Sequence, residues 1–219
     1  MWELNGCLRE VVDMKTSKIN KDLEMYCALM CEVKNRTHAI IEMLKGHTTT
    51  LYPITNIEFM CLQIRKVLEL ISMGSLVVNQ EEFDAIGAQY SKFWNARLIL
   101  QDIERLNPKF YPVAVNEVPT DEEGVAKDIQ EKASGFLTRE EFVTVYEKCG
   151  KMMHAQNPFG AKYDYESFKA KVLEWLHKIY GLLGSHLIHL KGDDGFYLIH
   201  MEERNNKGVH GYFFKRDED

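Results

Sequence analysis

Residues 146–159 read Tyr-Glu-Lys-Cys-Gly-Lys-Met-Met-His-Ala-Gln-Asn-Pro-Phe and divide the chain into two parts of different character. The stretch predicts a helix that ends at His154 and a break at Asn157-Pro158, because the residue before a proline resists the α conformation. The sequence before it has the apolar periodicity of helices. The sequence after it predicts one more helix and a small sheet, so we expect an α+β fold that is predominantly α.

The first helix upstream is the longest. Apolar residues from Ile19 to Leu44 alternate by fours and threes, which predicts a helix from about Thr16 to Lys45 that stops at Gly46. Such a helix is either the wall of a bundle or an exposed coiled-coil arm that dimerises. The shorter helices that follow favour the bundle.

The second helix carries charge on one side. Thr55-Asn56-Ile57-Glu58 has the form of a capping box, so a helix is expected to begin there and to run to about Asn79. Glu58, Arg65 and Glu69 fall on one stripe, away from the apolar face. This stripe is either a partly buried set of ions or a solvated edge with an Arg65–Glu69 pair.

The middle of the chain predicts a mixture of elements. Two shorter helices are expected at 82–94 and 96–106, an extended stretch at 109–119 and a surface excursion at 120–135. Thr138-Arg139-Glu140-Glu141 is a second capping box, and it opens the helix that ends at His154. Asp164 is expected to cap the last helix, on whose outer side His177 lies.

The C-terminal part changes to the period of strands. Three apolar runs, at 186–190, 196–201 and 209–214, are separated by Gly-rich turn sequences. The predicted architecture is therefore an up-and-down helical bundle over residues 1–185, with a three-stranded antiparallel β-meander over 186–219 packed on it as one unit.

Composition sets broad limits on function. The formal charge of −6 argues against broad electrostatic capture of nucleic acid, although a local basic groove stays compatible with it. No apolar run approaches the length of a membrane span, and the start lacks the pattern of a signal peptide, so a cytoplasmic protein without a membrane partner is expected. P-loop, dinucleotide-binding, zincin and hydrolase motifs are missing from the sequence.

Two groups of residues are candidates either for a metal site or for ordinary side-chain packing. Cys27 and Cys31 lie one helical turn apart, but buried small apolar residues are the better interpretation. In the C-terminal sheet, His189 is expected to face His200, with His210 on the next strand. No cysteine or carboxylate pattern accompanies these histidines, so cross-strand packing is favoured and neither a metal nor a cofactor is predicted.

His154 is the first candidate for chemistry. Histidine exchanges a proton near neutral pH, so at a helix end it could act as general base or acid on a ribose hydroxyl or a leaving oxygen. Lys148, Lys151 or Arg65 could stabilise charge on a phosphate. The alternative is that a protonated His154 caps the helix C-terminus and its dipole.

A helical bundle with one charged helix and a later helix that ends in histidine resembles the HEPN superfamily, over about residues 16–185. Those proteins pair an arginine with a histidine four to six residues downstream, and many are metal-independent ribonucleases of toxin–antitoxin and antiviral systems. The resemblance places the histidine at His154 and the arginine near Lys148, where lysine cannot make the bidentate phosphate contact. It also implies a site formed across a homodimer, and non-catalytic binding in degenerate members.

The resemblance implies an RNA-binding protein or metal-independent ribonuclease of a bacterial or mobile-element defence or toxin system. The alternative is a non-enzymatic protein-interaction module or regulator that binds a partner through the first helix or the sheet edge. The expected catalytic residues are His154, Lys148, Arg65 and Glu69, and the expected binding residues are Glu58, Lys151 and Asn157.

Overall fold

A computed structural model describes residues 14–80, 100–102, 104–105, 107–119, 126–155, 158–159, 164–190, 195–202 and 208–215. The chain is α+β and predominantly helical within these ranges, as predicted. The helices are α1 (Met14–Leu44), α2 (Pro53–Val77), α3 (Arg139–Met152) and α4 (Tyr165–Leu183). The strands are β1 (Val113–Pro119), β2 (Ala126–Glu131), β3 (Ser185–His189), β4 (Gly195–His200) and β5 (His210–Lys215).

Helix α2 lies at the centre of the helical layer and contacts α1, α3 and α4. Its apolar face is buried along its whole length, which confirms the face assigned from the sequence. Each fully buried side chain of this size contributes about 1.5–3 kcal/mol relative to exposure. The buried residues of that face are Met60, Cys61, Ile64, Val67, Leu68 and Ile71.

Three helix ends follow from local sequence. Gly46 adopts a φ of 79° after the last turn of α1, a conformation that glycine adopts without strain. The capping box at α3 is present, because Thr138 accepts from the Glu141 N–H and the Glu141 carboxylate accepts from the Thr138 N–H. The Asp164 carboxylate accepts from the Ser167 N–H at 3.0 Å and caps α4.

The predicted start of α2 is wrong. The helix begins at Pro53, two residues before the proposed capping box, and its N-cap residue Tyr52 makes no side-chain cap. Proline suits the first helical turn, since its φ is already helical and its missing N–H is not needed there. Thr55 instead donates to the carbonyls of Thr50 and Tyr52, which braces the loop.

The sheet has five antiparallel strands in the order β2-β1-β3-β4-β5, not three. The three predicted C-terminal strands are confirmed as β3, β4 and β5. The other two come from 113–131, where an extended stretch and a surface excursion were expected. β1 pairs with β3 through Val113↔Leu187 and Ala114↔His186, and β2 pairs with β1. β2 is polar, and its pairing with the preceding strand β1, rather than an apolar pattern, makes it a strand.

The histidines of the sheet do not form the expected set. His189 pairs with Phe196, while His200 pairs with Ser185 and His210. Within the described ranges, no group of three or more His, Cys, Asp or Glu could hold a metal. Cys27 is half-buried and Cys31 is exposed, so the expected burial of both is also wrong.

Some predictions fall on residues outside the description. The predicted helix at 82–94 and the start of the helix at 96–106 lie in 81–99, whereas 100–102 and 104–105 are helical. Asn157 also lies outside the described residues. None of the helices in the described part of the chain is both long and apolar enough to cross a bilayer.

A buried hydrogen bond joins α1 to the sheet. Tyr26 and His186 are both fully buried, and the Tyr26 hydroxyl lies 2.8 Å from His186 Nε2. His186 Nδ1 lies 2.8 Å from the Leu183 carbonyl, which can only accept. Nδ1 therefore carries the proton and Nε2 accepts from Tyr26. Burial lowers the pKa of His186 to about 4, so the imidazole is neutral in the folded protein.

This neutral imidazole predicts a loss of stability in acid. The unfolded chain binds a proton at His186 near pH 6.5 and the folded chain only near pH 4, so stability is full above pH 6.5 and falls as pH drops between these values. Between pH 7 and pH 5, we expect the free energy of unfolding to fall by about 2 kcal/mol more in the wild type than in His186→Gln. Urea unfolding at both pH values measures the difference, with His177→Gln as an exposed control. Equal losses in the wild type and His186→Gln would contradict this.

Candidate functional site

The interface between α2 and α3 brings together part of the predicted site. Arg65 and Glu69 of α2 contact Tyr146 of α3, whereas Glu58, nearer the start of α2, lies in a groove with Met153 at the end of α3. The two helices therefore run antiparallel. The charged stripe of α2 faces along α3 from its middle to its C-terminal end.

The Arg65 guanidinium is held against Tyr146 by several contacts. Its Nη2 donates to the Tyr146 hydroxyl at 2.6 Å, and its Nη1 donates to the Tyr146 carbonyl at 3.3 Å. The guanidinium carbon lies 3.8 Å from the centre of the Tyr146 ring, a cation–π distance. Half-buried charge is costly without such partners, and these contacts fix the position of Arg65.

Glu69 completes the cluster. The Tyr146 hydroxyl donates to Glu69 Oε1 at 3.1 Å, and the same carboxylate oxygen lies 3.7 Å from Arg65 Nη2. The side chains of Arg65 and Glu69 are each 23% exposed. Of the two interpretations of the α2 stripe, the partly buried ion set therefore holds for this pair, with Tyr146 bridging it.

Gly150 makes room for the guanidinium. A Cβ placed on Gly150 would lie 2.7 Å from Arg65 Nη1, closer than a real side chain allows. The Arg65 guanidinium therefore lies close to the backbone of α3 at Gly150. Glycine inside a helix lowers stability by about 1 kcal/mol relative to alanine. Here its lack of a side chain permits the close approach of Arg65.

His154 follows Gly150 by four residues, about one helical turn or roughly 6 Å along the axis. α3 ends at Met152, and the His154 backbone N–H donates to the Lys151 carbonyl at 3.3 Å. The residue is exposed. Among the described residues, no hydrogen bond of the His154 side chain to a helix carbonyl is present.

The two lysines of α3 are exposed and do not belong to the Arg65 cluster. Lys148 follows Tyr146 by two residues, which is roughly 200° around the helix, so it lies on the side of α3 away from Arg65. Lys151 lies on the exposed stripe that leads to His154. Arg65, and not Lys148, is therefore the cation placed nearest to the α2–α3 contact.

A groove of about 280 Å³ opens at the end of the same interface. Glu58 is the predicted site residue in it, and neither Arg65 nor His154 lines it. Met153 is 44% exposed, because it lies past the last helical turn as the C-cap. The lining residues are Thr55, Glu58, Phe59, Leu62 and Met153.

Two buried thiols lie at the same interface. Cys61 of α2 and Cys149 of α3 are fully buried. A hydrogen bond with Cys61, followed by burial, raises the pKa of Cys149 far above its usual range. Cys149 therefore stays protonated and is not a nucleophile.

Sequence reasoning missed Tyr146 and Gly150 as parts of the site. The helical spacing of Tyr146 matches that of the apolar residues of α3, which indicates a core residue, and the residue is 5% exposed. A signal was present nonetheless. An internal helical glycine one turn after a tyrosine indicates that another group approaches the helix backbone closely.

No family model matches the chain, and no curated protein or solved structure matches it. The resemblance to the HEPN superfamily therefore stays a prediction.

The contact between Arg65 and Gly150 predicts that Gly150→Ala changes the free energy of unfolding in opposite directions with and without Arg65. In an Arg65→Ala background, Gly150→Ala should stabilise the protein by about 1 kcal/mol through helix propensity. In the wild type the new methyl group displaces the guanidinium, so Gly150→Ala should lower stability by about 1 kcal/mol. Urea unfolding of the four proteins in this cycle measures the coupling. The same gain in both backgrounds would show that Arg65 does not lie on Gly150.

Proposed function

We propose that this chain is a HEPN-like RNA-binding protein that cleaves RNA without a metal. Its proton-transfer group is His154, and its phosphate contact is Arg65. The observation that carries the proposal is the position of Arg65 Nη1 against Gly150, one helical turn before an exposed histidine. A fixed cation and a group that exchanges protons are the two groups that phosphodiester cleavage needs.

The two nitrogens of the guanidinium differ in how firmly they are held. Nη2 has a short bond to the Tyr146 hydroxyl at 2.6 Å, whereas the Nη1 bond to the Tyr146 carbonyl is 3.3 Å long. Nη1 can therefore exchange its partner for a phosphate oxygen at small cost, while Nη2 keeps the side chain in place. Glu69 and Tyr146 are positioning residues in this scheme.

The proposed reaction starts with His154 taking the proton of a ribose 2′-hydroxyl. The 2′ oxygen forms a bond to phosphorus and the bond from phosphorus to the 5′ oxygen breaks, which leaves a 2′,3′-cyclic phosphate. The leaving 5′ oxygen takes a proton from water or from the imidazolium. Arg65 stabilises the negative charge on the non-bridging oxygens. The setting that goes with this proposal is a bacterial or mobile-element defence or toxin system.

Cleavage of structured RNA in the presence of EDTA tests the proposal. We expect His154→Ala to lower the rate by at least about 100-fold, the usual contribution of a general base. His177→Ala removes an exposed histidine of α4 and should have no effect. Lys148→Ala should also keep full activity, because Lys148 lies on the other side of α3. Product ends are read by mass spectrometry, and folding is checked by circular dichroism.

Two outcomes would contradict the ribonuclease assignment. One is a wild-type protein that neither binds nor cleaves RNA. The other is cleavage that persists in a folded His154→Ala protein, which would indicate a contaminant or another site. Loss of activity in Lys148→Ala with retention in Arg65→Lys would instead move the phosphate contact to Lys148.

A second candidate function is protein binding at the groove. The observations that favour it are the large apolar side chains of Phe59, Leu62 and Met153 in the groove, and four large apolar side chains exposed just before α2 and after the end of α3. Met153→Asp changes the groove without touching Arg65, so it should abolish such binding and leave RNA cleavage intact. The exposed side chains are Leu51 (80%), Tyr52 (64%), Met153 (44%) and Phe159 (97%).

A further inference from the structure

The sheet has two edges that differ in chemistry. In the order β2-β1-β3-β4-β5, the outer strands of the described sheet are β2 and β5. An edge strand presents N–H and C=O groups to which another strand can pair, and proteins that remain monomeric protect such edges with charges, bulges or short irregular strands.

The β2 edge has this protection. Gln130 and Glu131 are exposed polar residues, and the Asp128 carboxylate accepts the backbone N–H of Ile129 at 2.9 Å. The pairing of β2 with β1 is irregular, with a register shift between Val118 and Pro119. A further strand would meet charge and an interrupted backbone there.

The β5 edge has less of it. The only charged residue in β5 is Lys215 at its end, the central residues 211–214 read Gly-Tyr-Phe-Phe, and the ladder with β4 is regular from His200↔His210 to Gly195↔Lys215. The inner side of β5 is anchored, because Phe213 packs on Tyr197 and Gly211 lies against Leu23 of α1. β5 is therefore a regularly paired and anchored edge with an apolar centre, of the kind that accepts another strand.

We propose that β5 is a self-association edge, on which β5 of a second copy pairs antiparallel and joins the two sheets into one. A two-fold axis perpendicular to the sheet keeps each face on its own side. Paired residues must then point to the same face of the sheet, so the numbers of any two paired residues must add to an even number. The register centred on Tyr212 satisfies this condition.

The side chains favour this register. On the outer face it places His210 opposite Phe214 of the second copy, and Tyr212 opposite its own equivalent. Cross-strand aromatic pairs of this kind stabilise sheets. On the inner face it places Gly211 opposite Phe213, a small residue beside a large one, which limits crowding at the junction. A strand from another protein would have no such built-in match.

The residue on the axis gives a sharp test. Tyr212 is 44% exposed, so it can be replaced without opening the core. Tyr212→Lys places two like charges directly opposite each other and should prevent pairing, and Tyr212→Glu should do the same. An equimolar mixture of the two variants places lysine opposite glutamate and should associate again. Gln130→Lys, on the β2 edge, is the matched control.

Analytical ultracentrifugation of the whole chain measures the result. Pairing over His210–Phe214 covers less surface than a standard interface, so we expect a dissociation constant on the order of 10 µM. The wild type and Gln130→Lys should be dimers well above that concentration, each charged variant a monomer, and the mixture a dimer.

A wild type that stays monomeric at about a hundred times that concentration would overturn the proposal. The β5 edge would then be left to a strand from another protein. Dimers that persist in both charged variants would place the interface elsewhere. Variants that are monomeric alone and in the mixture would overturn the Tyr212-centred register. This association does not depend on the RNA site, so each result stands apart from the cleavage assay.

Discussion

A half-buried guanidinium determines how α2 and α3 meet. Arg65 leaves much of its hydration behind in the helix interface, and such a charge is tolerated only where partners replace the lost water. The partners all come from a single tyrosine and one carboxylate: the Tyr146 hydroxyl, carbonyl and ring, and Glu69. Gly150 is needed because a larger residue would exclude the side chain from this position. The same contacts place the cation near the end of α3, where His154 is exposed.

Local patterns were sufficient to predict most of the helical layer. The α1 seam, the stop at Gly46 and the capping box at Thr138 depend on neighbours a few residues apart, and all three are present. The start of α2 was wrong because two local signals competed and Pro53 prevailed over the Thr55 box. The sheet was only partly predictable, since β1 joins it through pairing with residues about 70 positions away, as in Ala114↔His186, and β2 joins it only through β1. Polar β2 carries no apolar alternation that would reveal it.

The spacing of charged residues in the sequence made one part of the site predictable. Arg65 and Glu69 stand one turn apart on α2, and this spacing left open a partly buried pair or a solvated edge, of which the structure has the partly buried pair. Tyr146 was hidden because its ring belongs to the core while its hydroxyl reaches the ions. Lys148 was chosen from the spacing of a family motif. Lys148 lies two residues from Tyr146 and therefore points away from Arg65, which the spacing of the motif does not show.

The central claim is that Arg65 and His154 serve one phosphodiester. It is tested most directly by an NMR titration with a short 2′-deoxy oligonucleotide, which has no attacking hydroxyl and stays intact. The account predicts that the Arg65 Nε–H signal and the His154 ring signals shift together and saturate along a single binding curve. Signals that saturate at different concentrations, or a His154 shift with Arg65 unchanged, would contradict it.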